Sequence, residues 1–336
     1  MKSFLAAFRS PRMFWILLLG FSSGIPLALT GTTLQAWMTK EKVDLAVIGI
    51  FSLVGLPYTV KVLWAPLMDR FIPPFLGRRR GWMLVTQIAL AIVIAAMAFS
   101  DPAGATTLFA VLALLVAFTS ASQDIVVDAY RTEVLEPLEL GPGASVHILG
   151  YRIAMLTSGA LALILADRLP WKTVYLLMSA FLLVGVAASL LAPEPRLPER
   201  PPASLKEAVV EPFSEFLSRP GAAEILLFIL LYKLDVVMAM ALMTPFILEL
   251  GFSMTDIGAV TKGFGMAATI LGALVGGAFV SRAGMKASLW LFGILQSVST
   301  LSFLALARLG HNYPMMVTAI GLENLCSGMA TAAYAA

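Results

Sequence analysis

The sequence lacks most of what a soluble or secreted enzyme relies on. Its single cysteine, Cys326, rules out a disulfide within the chain. Its two histidines, His147 and His311, leave no Cys/His set at metal-ligand spacing. Structural zinc and a thiol mechanism are therefore not expected, and the absence of an HExxH motif removes the commonest metal-dependent membrane hydrolase. Charge is scarce as well. Asp, Glu, Lys and Arg make up 13% of the chain, where an ordinary soluble domain has about 25%. With 59% hydrophobic residues and a mean hydropathy of +0.89, too little polar surface is left to coat a soluble fold. The composition is that of an all-α integral membrane protein. The net charge of +3 comes from basic residues dispersed among short loops, not from one stripe, so nucleic acid is not expected as a partner.

What is present is a series of apolar runs, each near the roughly 20 residues that a helix needs to cross a bilayer. Approximate spans are 13–37, 46–68, 82–100, 106–131, 143–166, 171–192, 222–249, 255–281, 287–307 and 313–336, ten in all. The first follows Lys2, Arg9 and Arg12, but it is too long for a signal-peptide core and has no clean cleavage site, so it reads as a span. An N-terminus on the cytoplasmic side places fourteen Lys and Arg inside against five outside, which sets the expected orientation. The one long connection, 193–221, is proline-rich and then reads KEAVVEPFSEFL, with apolar residues at helical spacing. It divides the chain into a six-helix bundle (1–192), a cytoplasmic linker carrying a short interfacial helix (193–221) and a second bundle of four helices (222–336). Six spans before a linker predict six after it. The chain stops inside the apolar string ENLCSGMATAAYAA, so the last two helices are expected to be missing.

Ionisable side chains within a span cost about 2.5 to 3.5 kcal/mol each on insertion scales and mark functional sites by default. Here they are Lys61, Asp124, Asp128, Arg152, Lys233, Asp235, Lys262 and Glu323. At about 1.5 Å per residue, Lys61, Asp124 and Arg152 lie at similar depth and are expected to meet in one polar layer. Asp124 and Asp128 are four apart and share a helix face, with Arg131 one turn beyond. One reading is that a carboxylate, Asp124, Asp128, Asp235 or Glu323, takes up and releases a proton as the protein changes conformation. The other is a permanent ion-pair network. Lys61, Gln123, Arg152, Lys233, Lys262 and Gln35 are candidates to bind an anionic, hydroxyl-rich solute. Trp37, Tyr58, Gln87, Tyr151 and Gln296 offer further aromatic and amide groups, and Trp37 and Trp171, at helix ends, read as interfacial belt residues. Gly24 and Pro26, Gly55 and Pro57, and the glycines of the eighth span, including the GxxxG pattern at Gly272 and Gly276, weaken their helices or let them pack closely. Weak internal similarity relates the second span to the eighth, and Gln123–Asp124 to Glu323–Asn324.

The segment WAPLMDRFIPPFLGRRRGW at 64–82 resembles the loop motif of the major facilitator superfamily, with six residues, Phe71 to Leu76, intervening between the DR pair and the basic cluster. In that motif an acidic residue and a following basic cluster lock the inward face of the transporter. The resemblance assigns the lock to Asp69, Arg70, Arg78, Arg79 and Arg80, joined here by Arg131. Longer strings are similar to the AmpG muropeptide permease family of Gram-negative bacteria. They include FSSGIPLALTGTTLQAWM at 21, FSLVGLPYTVKVLWAPLMDR at 51, SQDIVVDAYRTEVL at 122 and LGYRIAMLTSGALALILAD at 149. The resemblance implies a secondary transporter of the inner membrane. It would act as a monomer and import N-acetylglucosaminyl-anhydro-N-acetylmuramyl peptides from periplasm to cytoplasm, driven by the proton gradient and without a cofactor. That activity serves cell-wall recycling and β-lactamase induction. Alternatives are transport of another anionic solute such as acetyl-CoA, a truncated form that does not transport, and a polytopic membrane enzyme, for which no catalytic set stands out.

Overall fold

The computed structural model describes residues 10–195, 206–228, 231, 243, 246–253, 256 and 258–336, and every regular element among them is helical. An uninterrupted apolar run in lipid satisfies its backbone polar groups only by bonding them within one segment, which is why these runs fold as helices. In chain order they are α1 (Pro11–Lys40), α2 (Ala46–Leu63), α3 (Arg78–Ala98), α4 (Thr106–Val134), α5 (Leu140–Ala166) and α6 (Trp171–Leu191). A short α7 (Glu211–Ser218) follows in the linker, then α8 (Ala259–Ala283), α9 (Met285–Leu309) and α10 (Tyr313–Ala335). Among the described residues eight of these are long and apolar enough to cross a membrane; α7 and α10 are not in that set. The expected seventh span, 222–249, lies largely outside the described residues.

Helix irregularities fall partly where the sequence points. Pro26 does not break α1: the Thr30 hydroxyl donates to the Pro26 carbonyl at 3.0 Å, and the helix yields only at Gly31, with φ −114° and ψ −111°. Around Gly55 and Pro57, α2 alternates short α and 3-10 turns, and a further turn, Ala65–Arg70, carries Asp69. Two π-helical turns, Leu156–Leu161 inside α5 and Gly258–Phe264 at the start of α8, have no proline to announce them.

The chain forms two compact units. The first comprises Ser10–Leu135 and Leu149–Glu211. Its core includes an aromatic cluster in which Trp37 stacks on Trp171 (centroids 5.6 Å apart, 13° between planes) and meets Phe109 edge-on at 5.1 Å. Trp37 and Trp171 are only 4% and 8% exposed, so they are core residues and not the belt anchors that their helix-end positions suggest. The Tyr175 hydroxyl closes the cluster by donating to the Leu29 carbonyl at 3.0 Å.

Among the described residues the second unit draws on Glu136–Ile148 and Pro212–Ala336. It is built on close helix contact: a Cβ on Gly272 would overlap the Leu325 carbonyl oxygen, and one on Gly328 would overlap that of Thr269. The start of α5 belongs to this unit, where the Ser145 hydroxyl donates to the Ala273 carbonyl at 2.6 Å.

Candidate functional site

The polar residues of α4 occupy the interior of the first unit. Gln123 is fully buried, and its amide donates to the hydroxyls of Ser22 and Ser23 on α1 at 3.3 and 3.5 Å. The groups acting on Asp124, next in sequence, are Lys61 on α2, Asp128 one turn on, and Ser23. The Lys61 ammonium stands 3.9 Å from one Asp128 oxygen, while Arg131 approaches the other at 3.6 Å. Asp128 thus sits between two cations. Asp128 and Lys61 are half-buried, whereas Asp124 lies deeper, so the group runs from the interior toward the surface of the unit. A chain of two carboxylates and one ammonium, backed by hydroxyls and an amide, can hold a proton at more than one position and can bind charged or hydroxyl-bearing solutes.

The expected polar layer forms in part. Lys61 and the α4 carboxylates come together, but the contacts of Arg152 are with Met155, 3.8 Å away, and the adjacent Tyr151. Gln35 is exposed on α1. Lys233, Asp235 and the side chain of Lys262 lie outside the described residues. Gln87 is fully buried, and its amide oxygen accepts from the Ser189 hydroxyl at 2.7 Å.

The string GFSSG at 20–24 has the G-x-S-x-G spacing of a hydrolase nucleophile elbow, which requires a strand-to-helix turn. Here it lies within α1, with Ser22 buried and bonded by Gln123, and no elbow forms.

Glu323 on α10 is the corresponding interior carboxylate of the second unit. Its oxygens accept from the Gln296 amide and from the Ser299 hydroxyl, the latter at 2.8 Å, with Thr300 at 3.3 Å. The neighbouring Asn324 accepts from Thr269 of α8 at 2.9 Å. The pair therefore holds α8, α9 and α10 together.

At the other candidate site, where the α2–α3 loop meets the ends of α4 and α6, one arginine dominates. Arg79 is 3% exposed, and its guanidinium forks onto both oxygens of Glu133 on α4, Nε donating to Oε2 at 2.7 Å, while Nη1 reaches Asp69 at 2.6 Å. Arg78 stands 3.8 Å from each of the same two carboxylates. The remaining basic residues separate from this bridge. Arg70 lies over the Phe71 ring at 5.5 Å, Arg131 pairs with Asp128, and Arg80 donates to backbone carbonyls of α6.

Sequence reasoning missed Glu133 and Glu194, whose carboxylate accepts from the Arg79 backbone N–H. Glu133 had a signal, since it lies two residues beyond Arg131 in the string that carries the α4 acids. Glu194 had none, because its partners are more than a hundred residues away.

Comparison with known proteins agrees with this architecture. The Major Facilitator Superfamily profile matches residues 4–336. The chain is 50% identical, over its whole length and 69% of the relative's, to the anhydromuropeptide permease of Escherichia coli K12. It is 32% identical to putative transporter AmpG 4 of Rickettsia conorii, covering 97% of this chain and 81% of that one. Its fold superposes on the proton:xylose symporter XylE bound to 6-bromo-6-deoxy-D-glucose with a TM-score of 0.68 at 11% identity, covering 99% and 81% of the two chains. Full-length identity at this level, on a helical fold with a carboxylate-bearing interior and an arginine-bridged loop end, places the chain in the AmpG permease family of the major facilitator superfamily.

Proposed function

We propose that the chain is a permease for anhydromuropeptides, moving them from periplasm to cytoplasm across the inner membrane in symport with protons. The observation that carries this reading is the 50% identity spread over the entire chain to a permease of that name. The chemistry on α4 is compatible with it. A glycopeptide presents carboxylates to Lys61 and hydroxyls to amides and hydroxyl side chains, and a proton arriving on Asp124 would weaken its attraction to Lys61. The charge bias of the loops supports a cytoplasmic N-terminus, which puts the Arg79 bridge on the inner side as the gate that closes when the transporter faces outward.

Coupling and binding separate in Asp124→Asn. The amide keeps the shape and loses the proton site, so accumulation driven by an imposed pH gradient in proteoliposomes is expected to fall about tenfold, roughly 1.4 kcal/mol of driving force. Exchange of labelled for unlabelled anhydromuropeptide without a gradient should persist. Equal loss of both assigns Asp124 a structural role, and loss of neither shows that its proton is not used. Acetyl-CoA offered as a competitor tests the alternative substrate: displacement of anhydromuropeptide uptake at equal concentration would favour it.

A further inference from the structure

Glu194 takes part in none of the ion pairs above, yet it joins the helix ends on which the gate is built. Its two oxygens accept from the backbone N–H groups of Arg79 at 3.0 Å and Arg80 at 3.1 Å. These are first-turn amides of α3, which have no partner inside their own helix. The residue before that helix, Gly77, has no side chain with which to cap it.

Arg80 returns the contact. Its Nε donates to the Ser189 carbonyl at 2.9 Å and its Nη2 to that of Leu190, both in the last turn of α6. A carboxylate on a helix start and a guanidinium on a helix end both have the sign that the helix dipole favours. The Tyr130 hydroxyl of α4 adds a bond to the Pro193 carbonyl at 2.9 Å.

The approach is made possible by Gly77. It holds φ at +81°, and a Cβ there would fall 2.5 Å from Glu194 Oε1. The main chain of Arg79 is thus gripped by Glu194 while its side chain spans Asp69 and Glu133.

We infer that Glu194 is a positioning residue of the gate: it fixes the start of α3 so that the Arg79 fork meets both carboxylates, and it ties that bridge to the chain leaving α6. The gating role rests on the transporter reading above. The grip itself does not.

Two measurements on the full chain separate the two. Amide hydrogen exchange needs no substrate. Glu194→Ala should speed exchange across residues 77–82 about tenfold, and Glu194→Gln, whose one amide oxygen can still accept from one of the two N–H groups, by less. Exchange across 130–134, at the α4 end, should rise with Glu194→Ala when Arg79 is present and rise no further in an Arg79→Ala background, as coupled residues do.

In transport, Glu194→Ala should lower kcat about tenfold with KM within about twofold, partly rescued by Glu194→Gln, and again with no additional loss beside Arg79→Ala. Unchanged exchange across 77–82 would overturn the grip. Effects that multiply with those of Arg79→Ala, or normal kcat despite faster exchange, would overturn the positioning role. Absence of anhydromuropeptide uptake by the unsubstituted chain would instead remove the transport reading, leaving the exchange cycle to decide the inference.

Discussion

Arg79→Ala is expected to lower uptake about a hundredfold while the protein still reaches the membrane. The substitution leaves Asp69 and Glu133 without the cation that bridges them. Breaking a buried pair by removing one partner costs about 3 to 5 kcal/mol, and the lower end applies here because the Asp69 side chain is 41% exposed and can be partly hydrated. A bias of about 3 kcal/mol shifts a two-state equilibrium by more than a hundredfold. The bridge joins α2, α3 and α4 within the first unit, so its loss falls first on the order of that loop end, and it reaches transport through the gate role proposed above. Arg79→Lys should recover only part of the activity, because an ammonium cannot reproduce the fork onto Glu133. Arg78, 3.8 Å from both carboxylates, offers limited compensation, so the double substitution Arg78→Ala/Arg79→Ala should be worse than Arg79→Ala alone. Uptake within twofold of the unsubstituted protein would show that the bridge is dispensable.

The second large effect concerns assembly of the second unit. Gly272→Leu is expected to prevent recovery of folded protein, because the new side chain would begin inside the Leu325 carbonyl. The obstacle is backbone, so no rotamer change relieves it. α8 would have to move away from α10, which would also pull Gly328 from Thr269 and Gly276 from Met329, whose Cα lies 2.6 Å from where the Gly276 Cβ would stand. Overpacking typically costs about 1 to 3 kcal/mol, and a clash against main chain on a face built of small residues belongs at or above the upper end. Gly263→Ala is the internal control, since open space surrounds its Cβ position. Size-exclusion chromatography in detergent reads the result: a monodisperse peak for Gly263→Ala and aggregate for Gly272→Leu. Equal recovery of both would mean that the close contact is not needed.

How much of this was legible in the sequence depends on range. Eight of the ten expected spans were readable because length and apolarity are local, and the pairing of Asp128 with Arg131 follows from helical spacing alone. The arrangement at the loop end was readable only as a cluster. Which of three consecutive arginines is buried depends on where the α3 start points, and that is set by Gly77, Leu76 with its positive φ of 57°, and Glu194. Trp37 and Trp171 look like belt residues because a tryptophan at a helix end usually meets the headgroups, whereas here two such ends converge and bury each other. Depth alone would put Arg152 beside Lys61. Depth does not give the direction in which a helix face turns, and the Arg152 face of α5 turns toward Met155 and Tyr151. Of the second-unit candidates, Glu323 behaves as an interior carboxylate satisfied by Gln296 and Ser299.

Movement of anhydromuropeptide across the membrane by this chain can be followed in cells. In cells lacking their own permease and expressing this chain, labelled N-acetylglucosaminyl-anhydro-N-acetylmuramyl tripeptide supplied to the periplasm should accumulate in the cytoplasm, and a protonophore should abolish the accumulation. Cytoplasmic label no higher than in cells carrying an empty vector, with the protein shown to be in the inner membrane, would contradict it.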